Sequence, residues 1–170
     1  MAIHPRMTSM EFDLIDGSTC VLREAVASDL DSIVALLVDD PLGAVRESAD
    51  DMDRYRAALE HISSDPRNLQ VVAVHGDAVV ATLQLTLIPG LARGGALRAQ
   101  IEAVRVDGRW RSRGLGGVLI RWAIDEAARQ GCALVQLTSD VSRTDAHRFY
   151  TRLGFVDSHV GYKMQLEPTA

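Results

Sequence analysis

Two early stretches flank Asp16-Gly17-Ser18: residues 11–14, where polar and apolar positions alternate, and residues 19–23, where Cys20, Val21 and Leu22 form an apolar run. The Asp-Gly-Ser step predicts a hairpin-like turn between two extended segments. The period then lengthens. Leu30, Ile33, Val34 and Leu37 recur at helical spacing, opened by Ser28 and Asp31 in the arrangement of a capping box. Pro41-Leu42-Gly43 breaks this helix. A second begins at Ser48. Its Asp50, Asp51 and Asp53 suit the positive end of a helix dipole. Met52, Tyr55, Leu59 and Ile62 form its inner stripe, and Pro66 ends it.

Residues 70–75 and 78–88 are β-rich and separated by Gly76-Asp77, a hairpin signal. After a glycine-containing loop at 89–95 comes the stretch that organises the rest, 100–127. It begins as a strand. Ile101 and Ala103 share one face and Val104 and Val106 the other, which either burial on both faces or a bulge explains. A bulge would free backbone N–H groups. Gly108 marks a turn, and Arg109, Arg111 and Arg113 precede Gly114-Leu115-Gly116-Gly117. A helix follows through Val118, Leu119, Trp122 and Ala123, closed by Gly131. Residues 133–138 read as a buried strand and 145–153 as a helix ending at Gly154. Residues 155–156 and 160–166 read as final strands.

The order β, α, α, β-β-β, α, β, α, β predicts a mixed, mostly antiparallel central sheet with helices on both faces. At 170 residues, without repeat or linker, one domain over 1–170 is expected. With 47% hydrophobic and 24% charged residues the chain can bury a core. No apolar run is long enough to span a membrane. The first residues lack a signal peptide's apolar core, and Cys20 and Cys132 lie far apart, which together point to the cytoplasm. The net charge is −5. Residues 1–100 carry 15 acidic and 8 basic side chains, residues 101–170 carry 8 and 10. That balance disfavours general nucleic-acid binding but permits a local anion site in the second half. His4, His61, His75 and His159 form no metal-ligand pattern, so no metal is expected.

The loop at 108–117 offers that anion site. A helix start leaves backbone N–H groups unpaired and carries partial positive charge. Glycines let a phosphate approach the main chain, and arginines add fork-shaped donors. The loop matches neither G-x-G-x-x-G nor the Lys-Ser/Thr P-loop, so a nucleotide-binding module is a weak alternative.

Arg111-Ser112-Arg113-Gly114-Leu115-Gly116 matches a Gln/Arg-x-x-Gly-x-Gly/Ala loop. Ala146 with Phe149-Tyr150 and Leu153-Gly154-Phe155 matches A-x-x-F-Y-x-x-L-G-F. Leu22-Arg23-Glu24-Ala25 with Asp29 matches an opening strand and helix. Together these resemble the GNAT superfamily of acyl-CoA-dependent N-acetyltransferases, over about residues 20–166. The resemblance implies a GNAT-like fold and acetyl-CoA as cofactor. The pyrophosphate would rest on Arg111, Ser112, Arg113, Gly114, Leu115, Gly116 and Gly117, and the pantetheine arm along Val104, Arg105 and Val106. Where the family often has an asparagine, Arg143 stands, and an arginine there can meet a phosphate instead.

Acetyl transfer to an amine needs a base, because a lysine-like amine has a pKa of about 10.4 and its neutral form costs roughly 4–5 kcal/mol at pH 7. Glu102, a carboxylate inside an apolar strand run, is the candidate. Tyr150 is the family's usual acid for the leaving thiolate. Its phenol pKa of about 10 makes hydrogen bonding to the sulfur the safer role. The backbone near Val104 would donate to the carbonyl oxygen. The loop 39–43, with Asp40 and Leu42, borders the acceptor by resemblance; acidic Asp39, Asp40 and Glu47 suit either a cationic amine or an ordinary surface; and Gln84 and Thr86, on one face of the neighbouring strand, can hydrogen-bond the acceptor. His147 reads as a half-exposed helix residue, with a cofactor contact or a base as the alternative, Cys132 as a small buried thiol and Trp110 as a ring packed under the loop. Trp122 reads as core. The expected partner is a small-molecule amine. A protein or peptide acceptor and a non-catalytic acyl-CoA-binding regulatory domain are the alternatives. Homodimers are common in the family.

Overall fold

A computed structural model describes residues 7–39 and 50–166. It divides into two compact units, one up to Leu137 and one from Thr138 onward. In the first, β1 (Met10–Asp13) and β2 (Thr19–Glu24) form the expected hairpin, with Asp13 opposite Thr19. Gly17 takes the turn at φ 80°. A 3₁₀ turn, Ala27–Asp29, leads into α1 (Leu30–Val38), and α2 spans Met52–Ser64. Then come β3 (Asn68–His75), β4 (Ala78–Ile88) and β5 (Arg98–Val106). A 3₁₀ turn at Gly108–Trp110 precedes α3 (Leu115–Arg129), and β6 (Leu134–Leu137) closes the unit.

The six strands lie in chain order in one sheet. Every neighbouring pair is antiparallel except β5 with β6, which is parallel. Ile33 of α1 packs on Val72 and Val74 of β3, so α1 covers one face. Val71 and Ala73, of opposite parity, are fully buried too, so the other face is also covered. The α1 and α2 stripes meet through Leu30, Val34 and Leu59, with Met52 and Tyr55 against them. The helices thus sit where the periodicity puts them.

Four expectations change or fall outside. The cap expected from Ser28 and Asp31 does not form: the side-chain bond at this start comes from Asp29 and closes the 3₁₀ turn, while Asp29, as the N-cap of α1, makes no capping bond to α1 itself. Asp29 accepts the Val26 N–H at 2.8 Å and holds Arg23 in a fork at 2.6 and 2.9 Å. One turn of 3₁₀ helix ahead of α1 moves the cap upstream. Burial pushes the Asp29 carboxyl up, but the Arg23 and Val26 bonds outweigh it and hold it below the ordinary value. Trp122 is half-buried at a groove beside Met10 rather than in the core, because α3 turns Leu119, Ile120 and Ala123 inward. The expected helix start at Ser48 and the break at 41–43 lie outside the described residues.

The second unit holds α4 (Thr144–Arg152), which ends at Leu153 before Gly154 at φ 93°. The final strands expected at 155–156 and 160–166 are absent among the described residues. Val160, Tyr162, Met164 and Leu166 keep their alternation but are exposed. Alternation makes a segment fit to be a strand, and only a hydrogen-bonded neighbour makes it one.

Candidate active site

The site begins with an irregularity in β5. Glu102 pairs with Gln84 and Arg105 with Thr82, so Ala103 and Val104 together oppose one residue, Leu83. This is a β-bulge, and Ala103 carries it at φ 51°. Of the two explanations open for the strand's odd pattern, the bulge holds.

Past Ile101, β5 also parts from β6, whose pairing covers only Arg98–Ile101 of β5. The Asp107 N–H still reaches Val80 O at 2.9 Å on the β4 side. By the alternation of an antiparallel ladder, Val104 and Val106 therefore turn their own N–H and C=O groups to the open side. Their carbonyls accept from guanidinium groups, Val104 O from Arg105 Nη1 at 2.9 Å and Val106 O from Arg111 Nε at 3.1 Å.

The chain then tightens. Asp107 accepts the Arg109 N–H at 2.8 Å and pairs with its guanidinium, which holds the carboxyl below its usual range. Ser112 sits at φ 63° and Gly114 at φ 89°. Gly114 is the N-cap of α3, and no side chain caps that helix. The first N–H groups of α3 are left for a ligand or water. A Cβ on Gly114 would meet Ile15 Cδ1 at 3.2 Å, and one on Gly117 would meet the Arg121 guanidinium at 3.2 Å.

The loop's other two arginines meet carboxylates from distant parts of the chain. Arg113 reaches Asp16 at 2.6 Å, in the β1–β2 turn, and lies 4.9 Å over the Trp110 ring. Trp110 in turn meets the His75 ring at 4.7 Å, as a packed ring should. Arg111 faces Asp39, at the end of α1, at 3.7 Å. The Ser18 N–H and hydroxyl, with Arg113, hold the Asp16 carboxyl below its ordinary value.

Glu102 is exposed, on the same face as its register partner Gln84. Thr86 donates to Asn68 Oδ1 at 2.7 Å, and Gln84 Nε2 stands 3.3 Å from Thr86 Oγ1. Sequence reasoning found Gln84 and Thr86 but missed Asn68, Gln100 and Gln136. Asn68, Thr86, Gln100 and Gln136 stand in one register row across β3 to β6. The signal existed as a polar residue at matching parity in each strand, but the row needs the register. Asp40, Leu42 and Glu47 lie outside the described residues.

In the second unit, Tyr150 is half-buried between Phe149 and Phe155, with ring centroids at 5.2 and 5.9 Å. Arg143 stands at the N-cap of α4. His147 is exposed, with Nε2 2.8 Å from Asp140 O. Cys132, in the first unit, is half-buried, and burial raises its thiol pKa.

Residues 30–155 match the acetyltransferase (GNAT) family, a span that includes the bulge, the glycine loop and Tyr150. The chain belongs to this family. The enzyme is 29% identical over 147 residues to the aminoalkylphosphonate N-acetyltransferase of Salmonella typhimurium, covering 86% of this chain and 92% of that one. Its fold matches the crystal structure of a transcriptional regulator from Bacillus halodurans with a TM-score of 0.84 and 42% identity, over 86% of this chain and 99% of that one. A putative acetyltransferase from Agrobacterium tumefaciens matches with a TM-score of 0.73 and 28% identity, over 85% and 99% of the two chains. The chain is thus an acyltransferase of the GNAT N-acetyltransferase type.

Proposed function

We propose that the enzyme transfers the acetyl group of acetyl-CoA to the primary amine of a small molecule, by direct attack in a ternary complex. The open edge of β5 running into an uncapped helix start carries this reading. Outward N–H and C=O groups at Val104 and Val106 suit an extended, amide-bearing pantetheine arm. The carbonyls' present guanidinium partners, Arg105 and Arg111, are flexible side chains that can yield them. The N–H groups from Gly114 to Gly117 suit a pyrophosphate, bordered by Arg111, Ser112 and Arg113. Arg143 is a further cation for the phosphates. The family match runs through both units, which supports one catalytic domain.

Glu102 takes the proton from the acceptor ammonium, directly or through water. The freed amine attacks the thioester carbon; the C–N bond forms as the C–S bond breaks, and the nitrogen's surplus proton passes to the departing sulfur, which leaves as the CoA thiol. The Val104 N–H donates to the carbonyl oxygen as charge develops there. Tyr150 hydrogen-bonds the departing sulfur. Gln84 and Thr86 hold the acceptor, with Asp40 and Leu42 as its outer wall. The name of the Salmonella relative supports a small amine. A cytoplasmic setting agrees with two free cysteines, and no helix among the described residues is long and apolar enough to cross a membrane.

Free-thiol release from acetyl-CoA across a panel of amines tests this reading. Amine-dependent release, reduced in turnover more than in acetyl-CoA affinity by Tyr150→Phe, is the expected result. Unchanged turnover would remove Tyr150 from the mechanism. The name of the Bacillus halodurans relative favours a second reading, a non-catalytic acyl-CoA-binding regulatory domain. CoA binding without thiol release would support that reading.

A further inference from the structure

The α1 face of the sheet changes character along its length. Near Val72 and Val74 it is apolar and covered by Ile33. Toward the start of β3 it carries two polar register rows. Asn68, Thr86, Gln100 and Gln136 form one, and Gln70, Gln84 and Glu102 the other. Gln70 is buried and spent on Thr82 Oγ1 at 2.7 Å and Leu83 O at 3.2 Å. The full four-strand row and Gln84 are half-buried, and Glu102 is exposed. On a sheet face kept only for packing, such a row would be costly, because half-buried amides must find partners.

The row satisfies itself only in part. Gln136 Nε2 donates to Gln100 Oε1 at 2.7 Å, and Thr86 donates to Asn68. Each amide has three or four hydrogen-bonding positions. None of the hydrogen bonds described uses Gln84 Oε1 or Gln136 Oε1. The row itself holds no cation. Arg98 is exposed and lies one row further on the same face, roughly 7 Å along β5 from Gln100 and roughly 13 Å from Glu102 at about 3.3 Å per residue, so among the described residues of this face no cation stands beside the proposed ammonium position. Arg105, across the bulge, turns its guanidinium to Val104 O. An anion clamp would need a guanidinium or ammonium group within reach of the acceptor.

We infer that this row, with Gln84 beside Glu102, is the acceptor shelf, and that it takes an uncharged amine-bearing body rich in hydroxyl or amide groups. The inference rests on the acetyltransferase reading above and names its acceptor class. The ammonium lies toward Glu102, and the body extends across Thr86 and Gln100 toward Gln136. A site that hydrogen-bonds hydroxyl groups rejects analogues lacking them, since its own amides are then left unpaired.

The test uses the full chain with three amine probes: glucosamine, hexylamine and 2-aminoethylphosphonate. Thr86→Val, Gln100→Leu and Gln136→Leu are the variants, each checked for an unchanged melting temperature. The expected result is a preference of the unmodified enzyme for glucosamine. Each variant should raise the KM for glucosamine about 3- to 10-fold, the size of one or two neutral hydrogen bonds. The glucosamine-to-hexylamine ratio of kcat/KM should fall accordingly, with the KM for acetyl-CoA unmoved. A preference for 2-aminoethylphosphonate, or a glucosamine KM blind to all three variants, would overturn the shelf and leave the acetyltransferase reading standing. Ligand-observed NMR of glucosamine reads binding apart from turnover. Binding weakened by Gln136→Leu without any thiol release supports the shelf while contradicting catalysis. No detectable glucosamine binding by any form overturns the shelf.

Discussion

Two adjacent register rows cross the same four strands and face opposite ways. Leu69, Leu85, Ile101 and Leu137 make one, and Asn68, Thr86, Gln100 and Gln136 the other. Leu85 and Ile101 are buried to 2% exposure or less, whereas Thr86 and Gln100, one residue away, are half-buried. The backbone is shared, so the difference lies wholly in what each face meets. The apolar row stabilises the fold by area removed from water. The polar row removes less apolar area from water, and it is the row inferred above to be the acceptor shelf. In the proposed mechanism one strand, β5, serves stability through Ile101 and chemistry through Glu102.

The sharpest way to break this contrast is to change those neighbours. Glu102→Gln should lower kcat about 10²- to 10⁴-fold, the range of general-base catalysis, and leave the melting temperature close to that of the unmodified chain. Ile101→Ala should do the reverse, with a loss of about 2–5 kcal/mol in denaturant unfolding from lost burial and a residual cavity. Equal stability losses at both positions would erase the division between the faces.

Gly114→Ala probes the loop beyond β5. An alanine at φ 89° meets left-handed backbone strain, and its Cβ approaches Ile15 Cδ1. The expected stability loss is about 1–2 kcal/mol, with a raised KM for acetyl-CoA. Gly117→Ala should cost less, since only the flexible end of Arg121 has to move.

A comparable effect, dependent on pH, is expected at the start of α1. Asp29 is held below its ordinary pKa by Arg23 and the Val26 N–H, against the opposing push of burial. Its contribution is therefore present at neutral pH and is lost as pH falls below about 4. Asp29→Asn should cost about 1–2 kcal/mol at pH 7, and the gap should close as acid protonates the carboxylate. Unfolding curves at pH 7 and pH 3 check the sign.

Period and turn chemistry were enough to place β1 to β6 and the four helices, because each depends on neighbours within a few residues. Glu102 stood out for the same reason, as one charge in an apolar run. The polar row did not, since Asn68 and Gln136 lie in different strands and only register unites them. The bulge was one of two explanations until Ala103's φ and the Gln84 and Thr82 pairings decided it. The ties from Arg113 to Asp16 and from Arg111 to Asp39 bridge distant stretches that no local pattern connects. The alternation at 160–166 misled, because it reports fitness for a strand and not the partner a strand requires.

In the proposed binding mode, acetyl-CoA lies along the open side of β5 after the bulge. Amide hydrogen exchange with and without acetyl-CoA tests it most directly. Amides in the doubly paired stretch Arg98–Ile101 should be protected in both states, whereas Val104 and Val106 should become protected only when acetyl-CoA is added. Val104 and Val106 amides that exchange at the same rate with saturating acetyl-CoA would contradict it.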